Sequence, residues 1–590
     1  MTGPVARFRA WLAEPNPILV KELRATFRTN LFVRFLYLTT GLVGLIVMVT
    51  GTAAAADDAP PATVGQIVFH LFFGAILLVL CLVAPGDASA AITGEREQET
   101  WESLLLSGMS PWRIVMGKFF ACYASIALVM IAFSPVVGVA FLFGGVSPWQ
   151  VLFGFLSMLI ALAPPIAFGV AVSARLPSTR LSIVLTTFAY FPIALAGVFI
   201  LGAAGEEATR AWGLGTEGPF FYTEALAHHL DRPDVWGLLV LLPLYAFGMP
   251  TWFLLASAVA GVRSPAEDRS TAMKAWALAM LLTSLVAAGV LVTAGSGARQ
   301  AGEIAILVQM AMAIITIFIA ITFANEPPLP PRPMLAKRAS WPAGKRMLLA
   351  VGPGAASTLR FAWVVNAAAP LMCALVVGGV HSLLYPGWNA ERKLALSLAL
   401  AGLALGTICV AGFVASSAMW LRLVLRSGVA ARVLVLALVA AAVVFPFLFA
   451  LVADPQSVDR LDRYSPFVIQ FSPIQPGLLA VQLYERRGGW PLLGGLAIPC
   501  LLYGLSALLF TVLVEVRVRA AYRLVESRRA ALESRVAERL APGPAIDRKI
   551  EPDKIEPDKT EPDKTEPDKI EPDKTEPDKT EPDETEAEAP

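Results

Sequence analysis

The stretch Thr93–Lys118, TGEREQETWESLLLSGMSPWRIVMGK, separates two apolar runs, 66–92 and 118–143, each long enough to cross a bilayer as a helix. It is too polar to span, and its Gly, Ser and Pro punctuation is too regular for a slack linker. Such an insertion belongs at a membrane face. Acids crowd its start (Glu95, Glu97, Glu99, Glu102), three leucines follow at 104–106, and Ser107-Gly108 is a helix stop. Ser110-Pro111 then restarts a helix with a cap and a first-position proline. Thr93 is placed to cap the first of two short helices, and Glu95, Glu99 and Glu102 recur at helical spacing, which predicts one carboxylate edge. The expected form is a rigid elbow leading through Gly117-Lys118 into the next span. Two readings follow: a docking surface that passes a push into the flanking spans, or an interfacial re-entry whose acids simply face water.

Working outward, the same alternation continues along the chain. Of 590 residues 56% are hydrophobic and 16% charged, with mean hydropathy +0.64, which excludes an ordinary soluble domain. Apolar runs at 31–53, 66–92, 118–143, 149–173, 181–203, 236–261, 275–296, 303–324, 361–385, 394–421, 433–453 and 491–515 predict an all-α polytopic membrane protein of about twelve spans. With the N-terminus inside, the inside loops hold about 22 Lys and Arg against about 9 outside, so both termini are expected to be cytoplasmic. Loop lengths recur with a period of six helices, and the two short inside loops share a pattern, Arg175-Leu176 to Arg180 and Arg422-Leu423 to Arg426. These features predict two parallel six-helix halves, 31–262 and 263–516; a single twelve-helix bundle is the alternative.

The ends differ in kind. In 1–30 no cleavable signal peptide is expected, and Asn16-Pro17 starts a helix with Ile18, Leu19, Leu23 and Phe27 on one side and Lys21, Glu22, Arg24 and Arg28 elsewhere, as suits a helix lying in the cytoplasmic interface. Residues 517–545 read as a basic helix near anionic headgroups, and 546–590 as a disordered tail in which Glu-Pro-Asp-Lys-Thr/Ile repeats, its prolines forbidding a helix. Cys81, Cys122, Cys373, Cys409 and Cys500 lie in or beside apolar runs with no metal-ligand spacing, and the adjacent His228 and His229 lack a third ligand.

A span, then GEREQETWESLLLSGMSPWRIVMGK, then another span resembles the ABC-2 type permeases, the membrane subunits of ATP-binding cassette exporters. The matching positions are Gly94, Glu95, Arg96, Glu97, Thr100, Leu104, Leu105, Ser110, Pro111, Gly117 and Lys118, and the segment from Asn16 to Arg24 is similar to the family's amphipathic connecting helix. The resemblance covers about the first 260 residues. The corresponding loop of the second half, 326–360, is Pro-rich and basic without a Gly-Glu-Arg-Glu run, so that half is either a diverged permease half fused in one chain or an unrelated extension. The resemblance implies a permease subunit in a bacterial cytoplasmic membrane, as a homodimer or a fused pseudo-dimer. It also implies a separate ATPase subunit, which Glu95, Arg96, Glu97 and Glu99 would meet through charge pairs, with Leu104 and Leu105 seated in its groove.

The chain lacks a Walker A motif, since Gly117-Lys118 is followed by Phe119, so it is not expected to be an enzyme, to hold a cofactor or to bind nucleic acid. A transporter driven by an ion gradient is the rival class, with Asp87 beside Pro85-Gly86 as its best pathway residue and His70 and Glu303 as weaker ones. An intramembrane enzyme has no supporting motif, and a non-transporting scaffold stays open.

Overall fold

A computed structural model describes residues 16–28, scattered positions between 37 and 53, and 60–540 apart from 214–219, 265–266, 294, 296, 324–325, 331–351, 426, 454–471 and 486–489. The first predicted span, most of the basic loop at 326–360, and the repeat tail fall largely or wholly outside the described residues. Among the described residues helix is the only regular structure. Ten helices are long and apolar enough to cross a membrane, so the protein is a multi-pass helical membrane protein.

The chain starts with α1 (Pro17–Arg28) and the long α2 (Pro61–Glu97), followed by the short α3 (Trp101–Leu106). Next come α4 (Pro111–Ala132), α5 (Ser134–Phe143), α6 (Pro148–Ser173) and α7 (Thr179–Trp212). A short α8 (Phe221–His228) precedes α9 (Gly237–Val262), whose first turn is a π-helix. The rest consists of α10 (Thr271–Thr293), α11 (Ala298–Phe323), α12 (Ala355–Leu384), α13 (Ala390–Leu425), α14 (Gly428–Ala453), α15 (Gln475–Glu485) and α16 (Trp490–Leu540).

The third predicted span is corrected in two ways. Its helix begins at Pro111 rather than 118, and it breaks at Phe133, where Ser134-Pro135 removes a backbone donor and starts α5. The last span does not stop near 515 either, because α16 runs on through the basic segment. The chain divides into two compact units, Met1–Glu526 and Ser527–Pro590. The second is helical as far as it is described, with Arg529 Nε on Glu533 Oε1 at 2.8 Å.

Within the first unit, α6 is the hub of the N-terminal helices: α2, α4, α7, α8 and α9 all pack on it. Aromatic side chains fill that core, with Phe72 and Phe73 of α2 against Phe155 of α6 and Phe220 beside α8. Gly154 makes room for this, since a Cβ there would lie 2.5 Å from the Phe73 ring. Further along the chain α11, α12 and α13 pack mutually, α15 covers α13, and Arg360–Glu515 (2.8 Å) joins α12 to α16. Leu282, Val286 and Leu375 point outward, as they should where lipid is the solvent.

The elbow end of α2 is gripped on two sides. A Cβ at Gly169 of α6 would lie 2.4 Å from the Pro85 carbonyl oxygen, so only glycine lets the two backbones touch. Ser173 Oγ accepts from the Ile92 and Thr93 amides (2.9 and 3.0 Å), and Ser182 of α7 donates to the Ser89 carbonyl at 3.0 Å. Thr93 is therefore buried inside α2 and caps nothing, which corrects its expected role.

Candidate functional site

The elbow forms because α2 runs out at Glu97 and the chain reverses through Glu99, whose φ of 58° lies in the left-handed region. This break means that Glu95, Glu99 and Glu102 do not share a helix, so the predicted carboxylate edge does not exist. Gly108 (φ 73°) ends α3, and Ser110 Oγ accepts from the Arg113 amide at 3.4 Å to start α4. The Ser107-Gly108 stop and the Ser110-Pro111 start are where the sequence puts them. A left-handed residue with a Cβ is strained by roughly 1 kcal/mol or more. Glu99→Gly is therefore expected to raise the melting temperature slightly, and Glu99→Val to lower it by several degrees, in detergent thermal unfolding.

Behind the bend sits a charge cluster. Lys118, 2% exposed, places its Nζ 3.0 Å from Glu22 Oε1 and 3.2 Å from Glu95 Oε1, while Lys21 Nζ lies 3.0 Å from the same Glu95 oxygen. Thr100 donates to the other Glu95 oxygen. Two lysines and two glutamates from α1, α2 and α4 thus neutralise one another, and burial of Lys118 is tolerable only because two carboxylates meet it. Asn16 completes the clamp: its Oδ1 accepts from the Ile18 amide (3.1 Å), capping α1 as expected, and its Nδ2 donates to the Arg113 carbonyl at 2.6 Å. Gly117 is required here, since a Cβ would lie 2.8 Å from that Asn16 nitrogen, whereas Gly94 faces open space.

Arg96, half-buried, and Glu97, at the surface, also bond within the chain. Arg96 donates to the carbonyls of Ala174 (3.0 Å) and Leu176 (3.1 Å), closing the C-terminal end of α6, and its guanidinium lies 5.3 Å from the Trp101 ring centre. Glu97 Oε1 accepts from the Thr179 amide at 2.7 Å, capping α7. Glu95, Arg96 and Glu97 thus each have a bonding partner within the chain. Leu104 is half-buried.

The outward face of the elbow consists of Leu105, Leu106 and Trp112, with Glu99 and Glu102 at its rim. Leu106 is 86% exposed and Trp112 45% exposed, on helix ends beyond the apolar part of α2. Leu106 and Trp112 were not singled out by sequence, although three leucines before a Ser-Gly stop on a six-residue helix cannot all be buried. The partners of Lys118 were equally missed; a lysine at the head of an apolar run needs a carboxylate, and Lys21-Glu22 was the nearest unassigned source. Asp87 is exposed on α2, with no hydrogen bond or ion pair among the described residues, and Glu22 lies within electrostatic range. Glu303 pairs with Arg299 at 3.0 Å. A scan against protein-family models finds no match, and a search of the curated proteins finds none either.

Proposed function

We propose that this chain is the permease subunit of an ABC-2 type exporter in a bacterial cytoplasmic membrane, moving its substrate with energy from ATP hydrolysed by a separate ATPase subunit. The observation that carries the reading is a set of exposed apolar side chains, Leu105, Leu106 and Trp112, on a bend whose base is locked by the Lys21–Glu95–Lys118–Glu22 cluster. An exposed aromatic and two leucines on a rigid element fit the groove of a partner better than they fit solvent. Rigidity matters as much as exposure, since Arg96 and Glu97 tie the same bend to α6 and α7, so a push on α3 reaches three helices. Thr100, Pro111, Gly117 and Lys118 shape and hold the elbow, and Leu105, Leu106 and Trp112 make the contact.

The finer architecture is part of the proposal: twelve spans, both termini inside, in two parallel six-helix halves fused as a pseudo-dimer. Matching packing supports it, because α8 lies on α6 in the first half and α15 lies on α13 at the same place in the second. The gradient-driven alternative gains little from Asp87, which has no ion pair among the described residues.

The direct test is affinity purification of the tagged full chain from its native membrane. An ATPase of the cassette type is expected to co-purify, and a cysteine placed at Ser103 is expected to react with an impermeant maleimide only after the cells are opened. Labelling of that cysteine from outside intact cells would overturn the reading.

A further inference from the structure

Two side-chain amides in the later spans are fully buried and short of partners. Gln309 lies near the middle of α11 and Asn366 near the middle of α12, on helices that pack against each other. Gln309 Nε2 donates to the Pro370 carbonyl at 3.0 Å, which fixes that side chain against the turn of α12 that follows Asn366. A carbonyl only accepts, so it is the nitrogen of Gln309 that meets Pro370 and the oxygen that is left over. That Oε1 has no partner among the described residues, and neither Oδ1 nor Nδ2 of Asn366 has one. Pro370 adds a third acceptor. Standing four residues after Asn366, it has no amide to give the Asn366 carbonyl, and a proline ring crowds the oxygen at that position. One amide donor and three oxygens are thus gathered within about one helical turn, at a depth where no bulk solvent relieves them. Each such group left unbonded weakens a fold, and four together call for a guest.

We infer that the side chains of Gln309 and Asn366, with the Asn366 carbonyl, bind a water molecule inside the membrane, between α11 and α12 at the Pro370 break. The bonding pattern selects the guest. Asn366 Nδ2 needs an acceptor, whereas Gln309 Oε1, Asn366 Oδ1 and the freed carbonyl need donors, and water supplies both. A metal cation would satisfy the oxygens alone and leave the amide N–H groups without a bond. It would also need a counter-charge, yet α12 contains no acid, and the acids of α11 and α13, Glu303 and Glu391, stand near the starts of their helices. Proline is tolerated in spanning helices because, among other devices, ordered water satisfies the backbone groups it frees. Here the water takes the place of the missing backbone bond and ties α11 to the break in α12.

The experiment uses the full chain without any partner, so its outcome is independent of the exporter reading. Asn366→Leu replaces the amide by an apolar group of similar shape. With water bound, the change is expected to lower the melting temperature in detergent by several degrees, because the water loses its donor while Gln309 Oε1 and the freed carbonyl stay behind. Were the site dry, the same change would delete two unpaired groups and raise the melting temperature or leave it as it was, and either result overturns the inference. If the variant does not fold, the wild type in lipid nanodiscs carries the test by high-resolution electron cryomicroscopy. Density is expected within hydrogen-bonding distance of both Asn366 Nδ2 and Gln309 Oε1. A direct bond between the two side-chain amides, with no density between them, overturns the site. Exchanging sodium and potassium for choline at equal ionic strength should move the wild-type melting temperature by less than about 1 °C. A larger fall would identify the guest as a metal cation and overturn the water.

Discussion

On the proposed exporter reading, Leu106→Asp is expected to strip the ATPase partner from the purified complex and to leave the fold of the chain as it was. Truncating or charging a central apolar anchor at an interface typically costs at least about 2 kcal/mol, a loss in affinity of roughly thirtyfold. Because Leu106 is 86% exposed in the isolated chain, the same change removes almost no intramolecular contact, and the melting temperature should move by less than about 1 °C. Pulldown of the partner and detergent thermal unfolding, run on the same preparation, read the two halves of this expectation. A variant that retains its partner at wild-type yield sinks the docking assignment. Glu97→Lys is the weaker experiment, although sequence alone recommends it. Glu97 accepts from the Thr179 amide, so charge reversal there also uncaps α7 and confounds lost binding with lost stability.

Lys118→Met has the largest expected effect on stability. The ammonium is enclosed and, among the described residues, is the one cation shared by Glu22 and Glu95, so its removal leaves two carboxylates with Lys21 to offset them. Breaking a buried pair from one side costs roughly 3 kcal/mol, and here it also removes the ion pair between α1 and α4, leaving the Asn16 bond to hold them. Detergent unfolding should show a drop of several degrees, and limited proteolysis should cut in α1 sooner. The combined change Lys118→Met, Glu22→Gln and Glu95→Gln should recover much of the loss, since an apolar and neutral replacement leaves no unpaired charge behind. A single variant that melts like the wild type would mean that the cluster is not what fixes the elbow.

The features that can be read from the chain are local ones. Asn16-Pro17, Ser107-Gly108 and Ser110-Pro111 act on backbone groups within four residues of themselves, and the apolar runs need only length and composition. What cannot be read is where a charge goes when its partner is remote. Lys118 and Glu22 are 96 positions apart, and Glu97 and Thr179 are 82 apart. Nothing in GERE distinguishes an acid that caps the neighbouring helix from one that waits for another protein. The same limit explains Thr93, a plausible cap by residue type that the continuation of α2 instead buries against Ser173. Sequence therefore locates the elbow and names its residues, while packing decides which of them turn outward.

The grip on α2 around Pro85 has a mechanical consequence. At 1.5 Å per residue the arm from Pro85 to Glu97 is about 18 Å long, and the arm from Pro85 back to Pro61 about 36 Å. Because Gly169 presses on the Pro85 carbonyl and Gly86 lies against Thr187, while Ser173, Ser182 and Thr179 tie the short arm to α6 and α7, a tilt about that point would carry the three helices together. A stroke of 1 Å delivered to the short arm would swing the opposite tip by about 2 Å. On the proposed exporter reading, that gearing would multiply travel at the expense of force, turning a small motion at one surface into a larger one at the other.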